Sequence, residues 1–286
     1  MAMLDIRRRI RAVTSIQQVT RAMELVAATK LRRAQDRVFA ARPYALKLRE
    51  VLSRLAQGRT GAPHPLLRPR PVQRRAVAFV TGDRGLCGSY NTNVIKRVQA
   101  ELDALAAAGG PELALIPIGR RGREHFRRRG HDFLEEFLGL GEEPGFHQAR
   151  GIARVLIRLY QEGRVDEVRF VFTEFVSALT QRPGELVLLP VAPPEGGRPS
   201  FLDYIYEPSP EAVLEALVPA YVEVQVFLIL LESKASEHGA RMTAMGNATD
   251  NAEEMIQDLT LEYNRERQAS ITKEISEIVR GAEALK

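Results

Sequence analysis

Two apolar series with a seven-residue spacing run through the last quarter of the chain. One is Leu214, Tyr221, Leu228, Ala235, Met242, Thr249, Ile256 and Tyr263. The other is Leu217, Val224, Leu231, His238, Met245, Ala252 and Leu259. A repeat of seven kept this long holds one stripe against a partner helix and predicts a left-handed coiled coil. Ser209 is placed to cap the helix, Pro210 suits its first position and Glu211 favours the positive end of its dipole. A helix from there to the last residue would be ~110 Å long, more than any compact core needs. After Tyr263 the seam breaks: Glu266 and Ser270 take the next seam positions, and the apolar phase resumes at Ile271, Ile275, Ile278, Ala282 and Leu285.

Residues 4–57 predict a second long helix. Ile6, Ile10, Val13, Ile16, Val19, Met23, Val26, Ala34, Val38, Ala41, Ala45, Leu48, Leu52 and Leu55 fall mostly at three- or four-residue steps. Pro43 should bend this helix or break it locally, and Pro219 should kink the C-terminal helix, leaving a short helix before it. At ~80 Å the first helix is the shorter of the two. If they pair antiparallel, Met1 ends near the seam break at 264–270, and roughly the last 20 residues, ~30 Å of helix, stand alone. A lone apolar stripe implies a socket on another protein. Gly239 and Gly246 each cost ~1 kcal/mol relative to Ala in a helix interior, which points to close packing or permitted bending.

Between the helices the period changes. Gly58 to Pro71 is a Gly/Pro-rich loop. Ala76–Val80, Glu112–Ile118, Val165–Phe175 and Gly184–Val191 read as strands, with helices at 92–108, within the basic run 119–130 and at 146–162. Strands alternating with helices predict a small, mostly parallel, Rossmann-like doubly wound α/β domain inserted between the two helices. The expected division is 1–57 for the N-terminal coiled-coil helix, 74–208 for the α/β domain and 209–286 for the C-terminal helix with its projecting tip.

Charge sharpens the pairing. Residues 1–57 hold 13 basic and 4 acidic groups, whereas 209–286 hold 7 basic and 14 acidic. Two long segments of opposite sign favour each other. The basic segment has almost no aromatics for base stacking, so no nucleic-acid partner is expected. The longest apolar runs fall short of the ~20 residues a membrane span requires, so no insertion is expected. Charges near the N-terminus stand where a secretory signal would be apolar. Cys87 is the only cysteine, which fits a reducing compartment.

Candidate chemistry is sparse. The turn TGDRGLCG after the first strand could cradle a phosphate, but it lacks both the dinucleotide and the P-loop spacing. Its glycines, with Asn91 or Thr92 as a helix cap, also make sense as structure alone. The five histidines show no metal-ligand spacing, and His238 falls on the coiled-coil seam. Asp132, Glu135 and Glu136 read as a solvated face, as does the basic run Arg120–Arg129, and no nucleophile–base arrangement is visible. No cofactor or metal is expected.

Three stretches resemble the gamma subunit family of F-type ATP synthases: VTRAMELVAATKLRRAQ (Val19–Gln35), DRGLCGSYNTNV (Asp83–Val94) and Glu237–Leu285, within which ITKEISEIVRGA (Ile271–Ala282) is the most recognisable. The motifs run in the family's order over the full length. The resemblance implies an antiparallel coiled-coil shaft within a ring of three alpha and three beta subunits. The foot of that shaft, with the α/β insert, would rest on the membrane c-type rotor ring beside the epsilon subunit. It implies no catalytic residues in this chain, coupling of ion (proton) flow to ATP synthesis or hydrolysis by rotation, and a peripheral place on the cytoplasmic face of a bacterial plasma membrane. Carried over by position, Arg21, Met23, Lys30, Arg32 and Arg33 would face an acidic loop of the beta subunit. Arg241, Gln268, Thr272 and Glu274 would meet alpha and beta loops near the tip. Tyr204, Tyr206 and Glu207 would contact the rotor ring and epsilon. The chloroplast relatives' redox cysteine pair has no counterpart here. Two other readings of the residues stand beside this one: a static coiled-coil tether, and a nucleotide-binding enzyme built on the TGDRGLCG turn.

Overall fold

The computed structural model describes residues 2–57, 64–178, 180–192 and 206–284. Two helices dominate it: α1 (Ala2–Gln57) and α5 (Pro210–Ala284). The start of α5 follows its sequence signals, with the Ala212 amide donating to Ser209 Oγ at 3.2 Å. α1 and α5 each run unbroken through their proline, so Pro43 makes no local break and no separate short helix precedes Pro219. Val218 and Val222, on either side of Pro219, are fully buried, and that packing holds the helix together despite the missing N–H.

Between them lies a four-stranded sheet in the order β2-β1-β3-β4, from β1 (Arg74–Val80), β2 (Glu112–Ile118), β3 (Glu167–Phe175) and β4 (Gln181–Leu189). β1 pairs in parallel with β2 and β3, and β4 returns antiparallel to β3. Strand alternation separates two cores. Val77, Phe79, Leu115 and Val171 meet α2 (Tyr90–Ala108) through Val94 and Val98, and α3 (Arg120–Arg127) through Phe126. Ala78, Ile116, Ile118 and Phe170 meet α4 (Phe146–Gln161) through Ile152, Leu156 and Leu159. Helices therefore cover both faces, the doubly wound arrangement expected from the sequence. β3 begins two residues later than expected because the amides of Arg164 and Val165 bond back to Leu159 O, finishing α4 rather than joining the sheet. Gly109 closes α2 in the left-handed conformation, at φ 64°.

The second core does not stop at α4. It takes in Val218, Val222, Val226, Ile229 and Leu230 of α5 and Leu52 of α1. α5 holds an 18-residue window of mean hydropathy 1.9, long and apolar enough by length and composition to cross a membrane. The scattered glutamates of α5 are too few to offset its dense Val, Leu and Ile.

Packing groups the chain into two units, residues 28–240 and residues 1–27 with 241–286. In the larger unit Ala45 and Leu48 pack on Val224, and Arg42 pairs with Glu232 at 3.2 Å. In the smaller unit the hydroxyls of Thr20 and Thr249 are 2.9 Å apart, and Gly246 lies against Glu24. Each pairing is antiparallel. Every C-terminal seam position from Leu214 to Tyr263 is buried or half-buried. Counting outward along both helices from the Thr20–Thr249 contact, Ala2 comes level with Arg267. From Ile271 to Arg280 every residue is exposed.

Candidate functional site

The turn after β1 is fastened from within. Gly82 N donates to Asn91 Oδ1 at 2.8 Å, and Asn91 Nδ2 donates to Arg84 O at 3.3 Å. Asn91 thus ties the turn together and caps nothing; α2 starts at Tyr90 after Ser89, without a side-chain cap. The amides that open α3 are also engaged. Arg120 N donates to Asp83 Oδ1 at 2.9 Å, Arg121 N to Gly82 O at 3.1 Å and Gly122 N to Thr81 Oγ1 at 3.0 Å.

The ligand crevice of a doubly wound sheet lies at the carboxyl ends of its strands. Here Val80, Thr81, Asp83, Tyr90 and Gly119 face Leu230, Ser233, Lys234 and Glu237 of α5, and the space left is about 10 Å³, room for no more than a water molecule. Glu237 is 4% exposed and pairs with Lys234 at 3.0 Å. A Cβ on Gly82 would meet its carboxyl at 3.1 Å, so glycine is what lets the turn approach α5. A carboxylate of the chain itself therefore occupies the region a ligand's phosphate would need. Among the described residues, no group of three or more His, Cys, Asp or Glu could hold a metal ion.

Asp132, Glu135 and Glu136 are not a free acidic face. Glu136 pairs with Arg123 at 2.8 Å and Arg127 at 3.7 Å, and Glu135 with Arg158 at 3.8 Å. The hydrogen bond from Arg123 holds the Glu136 carboxyl below the ordinary range. Part of the basic run is thus neutralised within the chain.

The surface of α1 is the region the sequence pattern blurred. Two heptad series pack inward: Ile6, Val13, Thr20, Ala27, Ala34, Ala41, Leu48 and Leu55, with Ile10, Gln17, Glu24, Leu31, Val38, Ala45 and Leu52. All are buried or half-buried. Ile16, Val19, Met23 and Val26 belong to neither series. Ile16, Val19 and Val26 are 54–57% exposed, and Met23 is half-buried. Their three- and four-residue steps make a second apolar stripe, with Arg21 exposed beside it. A strict seven-residue repeat runs through the inward series alone and so separates the two stripes.

Further along α1, Arg32 and Arg33 are exposed, while Lys30 is half-buried with Nζ 3.1 Å from Glu142 Oε2. Gln268, Thr272 and Glu274 lie together on exposed α5, where Thr272 Oγ1 donates to Gln268 O and Ser270 Oγ to Glu274 Oε1. Arg241 is not with them. It is half-buried and engaged within the chain, ~40 Å before Gln268 along the same helix. Tyr206 is half-buried and Glu207 exposed, whereas Tyr204 lies outside the described residues. At the tip Ile271, Ile275, Ile278 and Val279 are 48–71% exposed.

A sequence profile of the family described as ATP synthase matches residues 2–285. The chain is 54% identical over 281 residues to the ATP synthase gamma chain of Desulfitobacterium hafniense, covering 98% of each. It is 54% identical over 283 residues to that of Symbiobacterium thermophilum, covering 98% of this chain and 97% of the relative. Among solved structures, it resembles a chain of the Euglena gracilis mitochondrial ATP synthase rotor with TM-score 0.67 at 17% identity, covering 94% of this chain and 99% of that one. A chain of the Tetrahymena thermophila mitochondrial ATP synthase central stalk and c-ring gives TM-score 0.60 at 24% identity, covering 80% and 99%. At these identities the structural likeness is one of fold.

Proposed function

The chain belongs to the ATP synthase gamma-chain family, and from that premise we propose that it is the central rotor shaft of an F-type ATP synthase. It couples ion (proton) flow through a membrane c-type ring to ATP synthesis or hydrolysis in a ring of three alpha and three beta subunits. The observation that carries this is the change along α5: a seam covered up to Tyr263, then exposed residues from Ile271 to Arg280 with an apolar stripe among them. Such a tip needs a socket in other chains.

A shaft works by making one conformer of each catalytic subunit more stable than the others, and rotation changes which subunit is favoured. That requires a surface whose sides differ. α1 supplies one: the stripe Ile16, Val19, Met23 and Val26 beside Arg21, continuing to Arg32 and Arg33. We assign Met23, Arg21, Arg32 and Arg33 to an acidic loop of the beta subunit. Lys30 adjoins this surface, but its charge is already matched by Glu142. Gln268, Thr272 and Glu274 are assigned to alpha and beta loops at the tip, where exposed groups can bond and release in each step. Arg241 is assigned to a separate level of the same socket. Tyr204, Tyr206 and Glu207 are assigned to the foot, against the c-type ring and epsilon subunit.

As a subunit of ATP synthase the chain makes no bonds of its own in this reading; the filled crevice beside Gly82 supports that assignment. It acts as a peripheral subunit on the cytoplasmic face of the bacterial membrane. Expressed with alpha and beta subunits, it should co-purify once per three alpha–beta pairs, and a different ratio would overturn the reading. Equilibrium dialysis of the chain alone tests the enzyme alternative, with tight nucleotide binding as the outcome in its favour.

A further inference from the structure

The segment between α3 and α4 runs along the outer side of β2. Leu134 N donates to Leu115 O at 3.0 Å, Phe137 N to Pro117 O at 2.9 Å and Gly119 N to Phe137 O at 2.8 Å. At its far end Gln148 of α4 holds it twice, through Leu140 O at 3.3 Å and Gly145 N at 2.9 Å. The short stretch between these ties, Gly141–Pro144, is therefore fixed at both ends, to β2 through Phe137 and to α4 through Gln148. It reaches both long helices.

Glu142 is the centre of that reach. Its carboxylate lies 3.1 Å from Lys30 Nζ of α1, 3.7 Å from His238 Nε2 of α5 and 3.7 Å from Arg84 Nη1 of the turn after β1. Arg37 of α1 adds a neighbouring tie, donating to Pro144 O at 2.8 Å and lying 3.6 Å from Glu143. Beneath the strap is a cavity of about 60 Å³ lined by Arg33, Ala34, Leu231 and Lys234. At this level the charged groups join the sheet domain to α1 and add to the packing of α5 beside Gly82. Burial pushes the Glu142 carboxyl up, but Lys30, with Lys234 and His238, outweighs it and holds the group below its ordinary value. An isolated exposed ion pair would contribute little. This one differs because one carboxylate serves three elements and one of its partners, His238, is 2% exposed on the seam.

We propose that Glu142 is a positioning residue that straps the α/β sheet to both long helices, and that this strap sets the torsional stiffness with which rotation passes between them. The proposal rests on the rotor reading and goes beyond it, since it concerns how torque crosses the chain's own interior.

The test is single-molecule rotation of the assembled alpha–beta–gamma complex, with the catalytic ring fixed and a probe on the α/β domain. Failure of the unsubstituted complex to rotate would overturn the rotor reading itself. Given rotation, Glu142→Ala should widen the angular spread during catalytic pauses, by roughly twofold in variance for loss of a three-way network, at an unchanged hydrolysis rate. Glu142→Gln keeps an oxygen acceptor and should fall between. Lys30→Ala should widen the spread less, and the double variant should match Glu142→Ala alone, because the two act through one contact. Glu135→Ala removes a carboxylate on the same segment that meets Arg158 of α4 rather than a long helix, and it should change nothing. An unaltered spread in both Glu142 variants, or equal widening by Glu135→Ala, overturns the proposal.

Discussion

Val218–His238 and Ile271–Arg280 lie on the same helix and carry similar apolar spacing, yet they differ in burial throughout. Val218, Val222, Val226 and Leu230 are at most 1% exposed, whereas Ile278 is 71% exposed. As far as Leu231 the first stretch is apolar on nearly every side because it meets two surfaces, α1 along the seam and the sheet through the second core. The second is apolar on one stripe, and every one of its residues is exposed. Periodicity therefore tells that a face will be covered; the lengths of the paired helices tell whether the chain itself can cover it. α1 ends level with Arg267, and the cover ends there too.

The largest expected effects set these stretches against each other. Leu230→Ala should lower the unfolding free energy of the isolated chain by ~2–5 kcal/mol, as a large-to-small change in a packed core does. Ile278→Ala should leave it within ~0.5 kcal/mol while weakening assembly with the catalytic ring. Urea unfolding measures both; equal costs would break the comparison. The two helix glycines sharpen it next. A side chain on Gly239 would meet Ala178 O at 3.1 Å and Gln181 Nε2 at 3.0 Å, in the hairpin between β3 and β4. Gly239→Val should cost ~1–3 kcal/mol through overpacking against a backbone carbonyl. At Gly246 the nearest atom is the flexible end of Glu24, at 3.4 Å. Gly246→Ala should therefore stabilise the chain, by up to ~1 kcal/mol, in the same denaturation experiment.

The smallest effects are in pH. Burial raises the Glu232 carboxyl above 4.5, only partly opposed by Arg42. Stability from this group is present below 4.5 and falls as pH rises through its folded value. Glu142 is lowered, so its contribution is present above 4.5 and falls as pH drops through its folded value. Urea midpoints across the acid range should show opposite changes in slope for Glu232→Gln and Glu142→Gln; changes of the same sign would refute the assignment of one of them.

The long-range order of this fold was legible wherever a repeat or a punctuation residue carried it. The α5 seam, the break after Tyr263, the glycines ending α2 and the alternating strands all appear in the sequence. The α1 surface was half legible, because Ile16, Val19, Met23 and Val26 are apolar without facing inward, and a count of apolar positions merges them with the true seam. Asn91, one of two residues expected to cap α2, ties the turn instead, because Gly82 and Arg84 approach it only once the turn has folded. The Glu142 strap had no sequence signal at all: its partners lie 112 positions before it, 58 before it and 96 after it, and no local pattern joins them.

The crevice beside Gly82 has one more consequence. A nucleotide fold normally changes shape or stiffness as its ligand comes and goes. Here Glu237 and Lys234 take up that place, from a helix whose 218–230 stretch is part of the sheet's own core. The sheet of this shaft thus has its crevice closed by its own long helix, and needs no ligand to complete the packing there.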